Sequence, residues 1–188
     1  MLNPGPRSGS NPAIPPLMPE YIVKVLSLPV LSLILILLSA PAAALQDFDG
    51  RPAGLADHIG QDERWLVVMI WESNCPACNR VAHQYVDFHE FNADRRARVL
   101  GISIDGPAAV ADAKAFVERH QVQFPNLIGD PAEVAMRYRQ LTGNAFVGTP
   151  SFLLFDPQGQ LRGYQAGMMP AEVVERFIDE VAAGSAAR

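Results

Sequence analysis

The segment Trp65-Leu66-Val67-Val68-Met69-Ile70-Trp71 is an unbroken apolar run of strand length, and after Glu72, Ser73 and Asn74 it is followed by Cys75-Pro76-Ala77-Cys78. A run of this kind suits a strand buried on both faces, so it predicts a central parallel strand. Beyond the cysteines, Val81, Ala82, Tyr85 and Phe88 recur at three- and four-residue spacing, which marks the buried face of a helix. Strand, short turn and helix therefore follow one another. Cys75 falls near the helix N-cap, with Pro76 at the first helical position, where its missing N–H costs nothing. The placement has a chemical consequence. Free N–H groups and the positive end of the helix dipole stabilise a thiolate at Cys75 and make it the attacking sulfur. Cys78, one turn further along, is expected to be the more buried, resolving thiol.

A pair spaced C-x-x-C also occurs in zinc sites and at haem attachments. A structural zinc normally takes four ligands and the chain has no third cysteine, although a site completed by His83 or His89 stays open. Attachment of a c-type haem needs His directly after the second Cys, where this chain has Asn79. His58, His89 and His120 show no mutual spacing that points to metal and read as surface or partly packed. His83 reads as an exposed helix position.

Downstream, Arg98 to Ile104 predicts a strand and Ala108 to His120 a helix with Ala109, Val110, Ala113, Phe116 and Val117 on one face. A shorter helix is predicted over Pro131 to Leu141. Ser151 to Phe155 and Leu161 to Gly167 flank Asp156-Pro157-Gln158-Gly159, a sequence suited to a tight hairpin. The last helix, Ala171 to Ala183, turns Val173, Val174, Phe177, Ile178 and Val181 inward. The expected architecture is α/β, a parallel βαβ half joined to an antiparallel ββα half around a central mixed sheet flanked by helices.

The chain has 188 residues, 49% of them hydrophobic, which suffices for one domain of ordinary size. A net charge of -5 and a pI near 5.3 argue against a nucleic-acid partner. The basic cluster Arg95, Arg96 and Arg98 reads as a solvated loop. Residues 1–44 differ from the rest: a Pro-, Gly- and Ser-rich start that reads as disordered, then Lys24, an apolar run from Leu26 to Leu38, and small residues through Ala44. That is the layout of a signal peptide. Its apolar run falls short of the roughly 20 residues that span a bilayer, so cleavage after Ala44 is favoured over a retained anchor in 21–44. Met18 directly precedes the segment and is an alternative start to Met1. The domain is then 45–188, with 13 basic and 19 acidic residues and hence a net charge of -6, unsuited to binding a membrane through a basic face.

The chain resembles the thioredoxin superfamily, and within it the exported TlpA-like and ResA-like branch, over nearly the whole of 48–188. Trp71 stands four residues before Cys75, as in the motif W-x-x-x-C-x-x-C. Gly148-Thr149-Pro150-Ser151-Phe152-Leu153 resembles the second signature of the family. Phe48-Asp49-Gly50-Arg51-Pro52 and Leu55-Ala56-Asp57 are similar to the N-terminal hairpin of that branch. Val99 to Asp105, with the following helix and Phe124-Pro125, is similar to its central βα insertion. The resemblance implies a thioredoxin-like fold with a cis Thr149–Pro150 bond facing Cys75 and Cys78, and a Thr149 backbone that pairs with an extended substrate segment. Trp71 and Pro76 support the site in this picture. The family's acidic proton relay is absent, since its two positions are Met69 and Val81, and its helix proline is replaced by His83. Glu72 or a water stands as the substitute, though Glu72 reads more simply as a solvated residue at a strand end.

The activity expected is disulfide exchange through a Cys75–Cys78 redox-active disulfide in a periplasmic or other extracytoplasmic compartment, with no bound cofactor and no metal. Without His between the cysteines, reduction is favoured over oxidation. The partners expected are exported protein thiols and disulfides, together with a membrane electron donor for a reductase. Two rivals use the same cysteines. A peroxiredoxin-like peroxidase lacks support from Glu72, which stands where those relatives place Thr. A copper-delivery module would use Cys75, Cys78 and a distant His, since soft thiolates suit Cu(I).

Overall fold

The computed structural model describes residues 45–186, and the leader or anchor expected in 1–44 lies outside the described residues. Among the described residues no helix is long and apolar enough to cross a membrane. The elements run β1 (Gln46–Asp47), β2 (Trp65–Trp71), α1 (Pro76–Asn92), β3 (Ala97–Ser103), α2 (Val110–Arg119), β4 (Asn126–Ile128), α3 (Pro131–Thr142), β5 (Ser151–Phe155), β6 (Leu161–Ala166) and α4 (Ala171–Ala186). The strands form one sheet in the order β1-β4-β3-β2-β5-β6. β4, β3 and β2 are parallel, while β5 and β6 continue the sheet antiparallel and β1 closes its other edge antiparallel to β4.

Every residue of β2 is buried. Side chains alternate across a strand, so Trp65, Val67, Met69 and Trp71 enter one core with α1, Ala113 and Phe116 of α2, and Val174 and Ile178 of α4. Leu66, Val68 and Ile70 enter the other, with Val134 and Tyr138 of α3. The continuous apolar run is thus the seam between two hydrophobic layers. This is the thioredoxin-like α/β arrangement.

The N-terminal hairpin is short: Gln46 pairs antiparallel with Pro52, and on either side Asp47 N–H donates to the Arg51 carbonyl and Ala53 N–H to the Leu45 carbonyl, each at 2.9 Å. Leu55–Asp57 after it forms a 3-10 turn. The first arm also pairs with β4, whose three residues are too few to show a periodicity. One expectation is corrected: the basic cluster is not a solvated loop throughout. Arg98 lies inside β3 with its side chain 13% exposed and its Nε 2.9 Å from Asp62. Asp62 also holds Arg64 at 2.8 Å, so this cation is neutralised where it is buried.

Candidate active site

Cys75 is the N-cap of α1, extended at φ -71° and ψ 114°, with Pro76 opening the helix. Its N–H donates to the Glu72 carbonyl at 3.1 Å, which folds Glu72 to Cys75 into a tight turn at the end of β2. Its Sγ accepts the Cys78 N–H at 3.1 Å, occupying a donor that a helix start otherwise leaves free. The same sulfur lies 3.3 Å from the Thr149 carbonyl, to which its thiol donates. Both cysteines are free thiols. Cys75 is 8% exposed and Cys78 is 0% exposed. Burial, followed by the hydrogen bond with Cys75, pushes the Cys78 thiol up from 9.0 to about 12.

The facing wall comes from the other half of the fold. β5 runs antiparallel beside β2 with Ile70 opposite Ser151, so the start of β5 stands against the end of β2. The Thr149–Pro150 peptide there is cis. Pro150 is buried and Thr149 half-buried. The turn is pinned from both sides, by Ser151 Oγ donating to the Gly148 carbonyl at 2.6 Å and by Gly167 N–H donating to the Pro150 carbonyl at 2.8 Å. Gly148 has φ +137°, a conformation that side-chain-bearing residues rarely adopt.

Trp71, the last residue of β2, is 1% exposed and stacked on Phe116 at 4.2 Å between centroids. Its indole N–H donates to Asn126 Oδ1 at 3.1 Å. Gly101 makes that bond possible: a Cβ there would fall 1.8 Å from Asn126 Oδ1 and 2.8 Å from Trp71 Nε1. Met69 and Val81 are both buried in the core, so neither position offers a carboxylate. Glu72 is half-buried at the strand end, Pro76 is exposed beside the sulfur and His83 is exposed on α1. His89 accepts the Val99 N–H at Nδ1 at 3.0 Å, which ties its ring to β3.

The structure brings in five residues that the pattern of apolar positions did not single out. Ser73 binds Asp105, while Asn79 binds the carbonyls of Ser73 and Cys75 and also Arg119 and His120. They are polar groups joined through space between residues far apart in the chain. Ser73, Asn79 and Asp105 are marked in sequence only by nearness to the cysteines or to a strand end, and Arg119 and His120 only by their place at the end of a helix. Two thiols one helical turn apart, one accessible and one enclosed, beside an open backbone edge, can exchange with an incoming disulfide and then close on each other.

Known structures share this fold, and a curated protein is similar in sequence. The thiol-disulfide oxidoreductase ResA of Geobacillus kaustophilus is 23% identical over 144 residues, 76% of each chain. A thioredoxin-family thiol:disulfide interchange protein of Chlorobium tepidum superposes with a TM-score of 0.60 at 17% identity, covering 73% of this chain and 92% of that one. A secreted disulfide oxidoreductase of Mycobacterium tuberculosis superposes with a TM-score of 0.51 at 22% identity, covering 78% of this chain and 96% of that one. The family model described as AhpC/TSA matches residues 36–164, which is more than half of the chain. With its sheet order, its two-layered core and its dithiol at the head of α1, the chain belongs to the AhpC/TSA family.

Proposed function

We propose that the protein is an exported thiol–disulfide oxidoreductase that acts on protein disulfides through Cys75 and Cys78 and runs as a reductase. The observation that carries the proposal is the placement of Cys75 Sγ, bonded to the Cys78 N–H at 3.1 Å and to the Thr149 carbonyl at 3.3 Å. The names of the ResA relative and of the Chlorobium tepidum protein support the same activity. Export is supported by the composition of 21–44 and by the secreted Mycobacterium tuberculosis neighbour.

The Cys75 thiolate attacks one sulfur of a substrate disulfide, forming a mixed disulfide and releasing the other substrate sulfur as a thiolate. Cys78 then loses its proton and attacks Cys75 Sγ. The second substrate thiol departs, and the Cys75–Cys78 bridge holds the oxidising equivalent. Two electrons have passed to the substrate, and an external dithiol donor, expected at the membrane, restores the pair. The Thr149 backbone lies where an extended substrate segment can align, as in β-strand addition. Pro150 offers no N–H beside the sulfurs. Trp71, packed on Phe116 and bonded to Asn126, supports the end of the strand that leads to Cys75, and Glu72 is the nearest carboxyl in sequence for the Cys78 proton.

Insulin reduction by the purified protein, paired with titration of the Cys75–Cys78 couple against glutathione, tests the proposal. Cys78→Ser is expected to trap mixed disulfides with exported proteins, and Cys75→Ser to trap none. A protein that reduces no disulfide and traps no partner in either variant sinks it. A second reading, peroxide reduction at Cys75, is favoured by the family match alone. Thiol-dependent loss of hydrogen peroxide faster than disulfide exchange would establish it instead.

A further inference from the structure

Ser73, two residues before Cys75, is held from two sides. Its N–H donates to both oxygens of Asp105 at 3.1 Å, and its Oγ donates to Oδ1 at 2.6 Å. Asp105 is itself fixed to the end of β3, accepting from Ser103 Oγ at 2.6 Å while its own N–H donates to that hydroxyl at 3.1 Å. The Ser73 carbonyl accepts from Asn79 Nδ2 at 3.2 Å, and the same amide nitrogen donates to the Cys75 carbonyl at 2.8 Å.

The orientation of Asn79 follows from its other partners. Arg119 can only donate, so the atom 3.0 Å from it is the amide oxygen. His120 Nε2 lies 2.8 Å from that oxygen and therefore carries the proton in this bond. Both lone pairs and both N–H groups of the Asn79 side chain are engaged. The turn before the nucleophile is thus fastened to the end of β3 through Asp105 and to the C-terminal end of α2 through Asn79.

We infer that Asp105 and Asn79 are positioning residues for Cys75, clamping Ser73 and the turn after it so that Sγ keeps both the Cys78 N–H and the Thr149 edge within reach. This rests on the oxidoreductase reading. Displacement of a reacting atom by about 1 Å can cost on the order of a hundredfold in rate. Position and charge predict opposite signs here. A carboxylate acting only through its charge would oppose a neighbouring thiolate, so removing it would speed Cys75. A clamp does the reverse.

The test measures Cys75 alkylation across pH, disulfide exchange with insulin and thermal melting for the wild type, Asp105→Ala, Asp105→Asn and Asn79→Ala. Asp105→Ala and Asn79→Ala are expected to slow both reactions about tenfold at neutral pH. Asp105→Asn, which keeps an acceptor for Ser73, is expected to recover most of the rate. Asp105→Ala that reacts as fast as the wild type or faster overturns the clamp while leaving the oxidoreductase reading intact. Wild-type protein that exchanges no disulfide overturns both. Ser73→Ala removes only the hydroxyl bond and serves if Asp105→Ala does not fold: a loss smaller than that of Asn79→Ala is expected, and unchanged rates in both overturn the inference.

Discussion

Cys78 is enclosed beside a second sulfur, and its proton is correspondingly hard to remove. With its thiol pushed up to about 12, resolution of a mixed disulfide should quicken about tenfold per pH unit through pH 8 to 10, measured by release of product from the preformed adduct. A plateau near pH 8 would mean that a nearby base had already taken the proton. Stability follows with the opposite sense. Below 9.0 both folded and unfolded chains keep this proton, whereas between 9.0 and about 12 only the folded chain does. The reduced protein should therefore lose stability as pH rises through that window, and the oxidised protein, lacking the titrating thiol, should not show this slope. At Gly101 the constraint is steric. Gly101→Ala should cost about 1–3 kcal/mol in denaturant unfolding, because the new Cβ collides with the Asn126 amide, which is held between the Trp71 indole and the Phe124 carbonyl, and with the buried Trp71 ring. A neutral outcome would show that the Trp71 indole moves freely.

Between α1 and β3 a single side chain does structural work that needs one protonation state. His89 Nδ1 accepts the Val99 N–H, so it carries no proton there, and burial, then Arg64 and Arg98, hold the ring below its usual 6.5. As pH falls below 6.5 the unfolded chain gains a proton that the folded chain resists, and stability declines. His89→Gln, which retains an acceptor, should flatten this acid slope in urea titrations from pH 7 to 5. An unchanged slope would assign it to His58 and His120, which burial also depresses. At this scale much was legible in the sequence. The apolar run, the spacing of Val81, Ala82, Tyr85 and Phe88, and the turn around Gly159 each report local periodicity or backbone demand, and those elements stand where expected. β4 and β1 are set by partners, and a strand of two or three residues has no period to read. The links of Asn79 to Arg119 and of Ser73 to Asp105 join polar residues distant in sequence, and nothing local marks them. Their partners are separated by 40 and 32 positions.

Across the whole molecule, β2 couples the two hydrophobic layers because its successive side chains enter opposite ones. Leu66→Ala and Met69→Ala, one for each layer, should each cost about 2–5 kcal/mol and leave a single transition that coincides in far- and near-ultraviolet circular dichroism. Separate transitions would show that the layers unfold independently. The same strand sets the working gap of the site. Cys75 and Thr149 are 74 positions apart in the chain, yet they meet because β2 ends where its antiparallel neighbour β5 begins, with Ile70 opposite Ser151. A ladder whose strands are about 4.8 Å apart spaces them, and no connecting loop does. Descent and engineering are therefore free to lengthen the chain at the exposed Gly143 to Ala145 without changing the distance that matters. One residue inserted inside β2 would turn the side chains beyond it to the wrong layer and carry the sulfur past its edge.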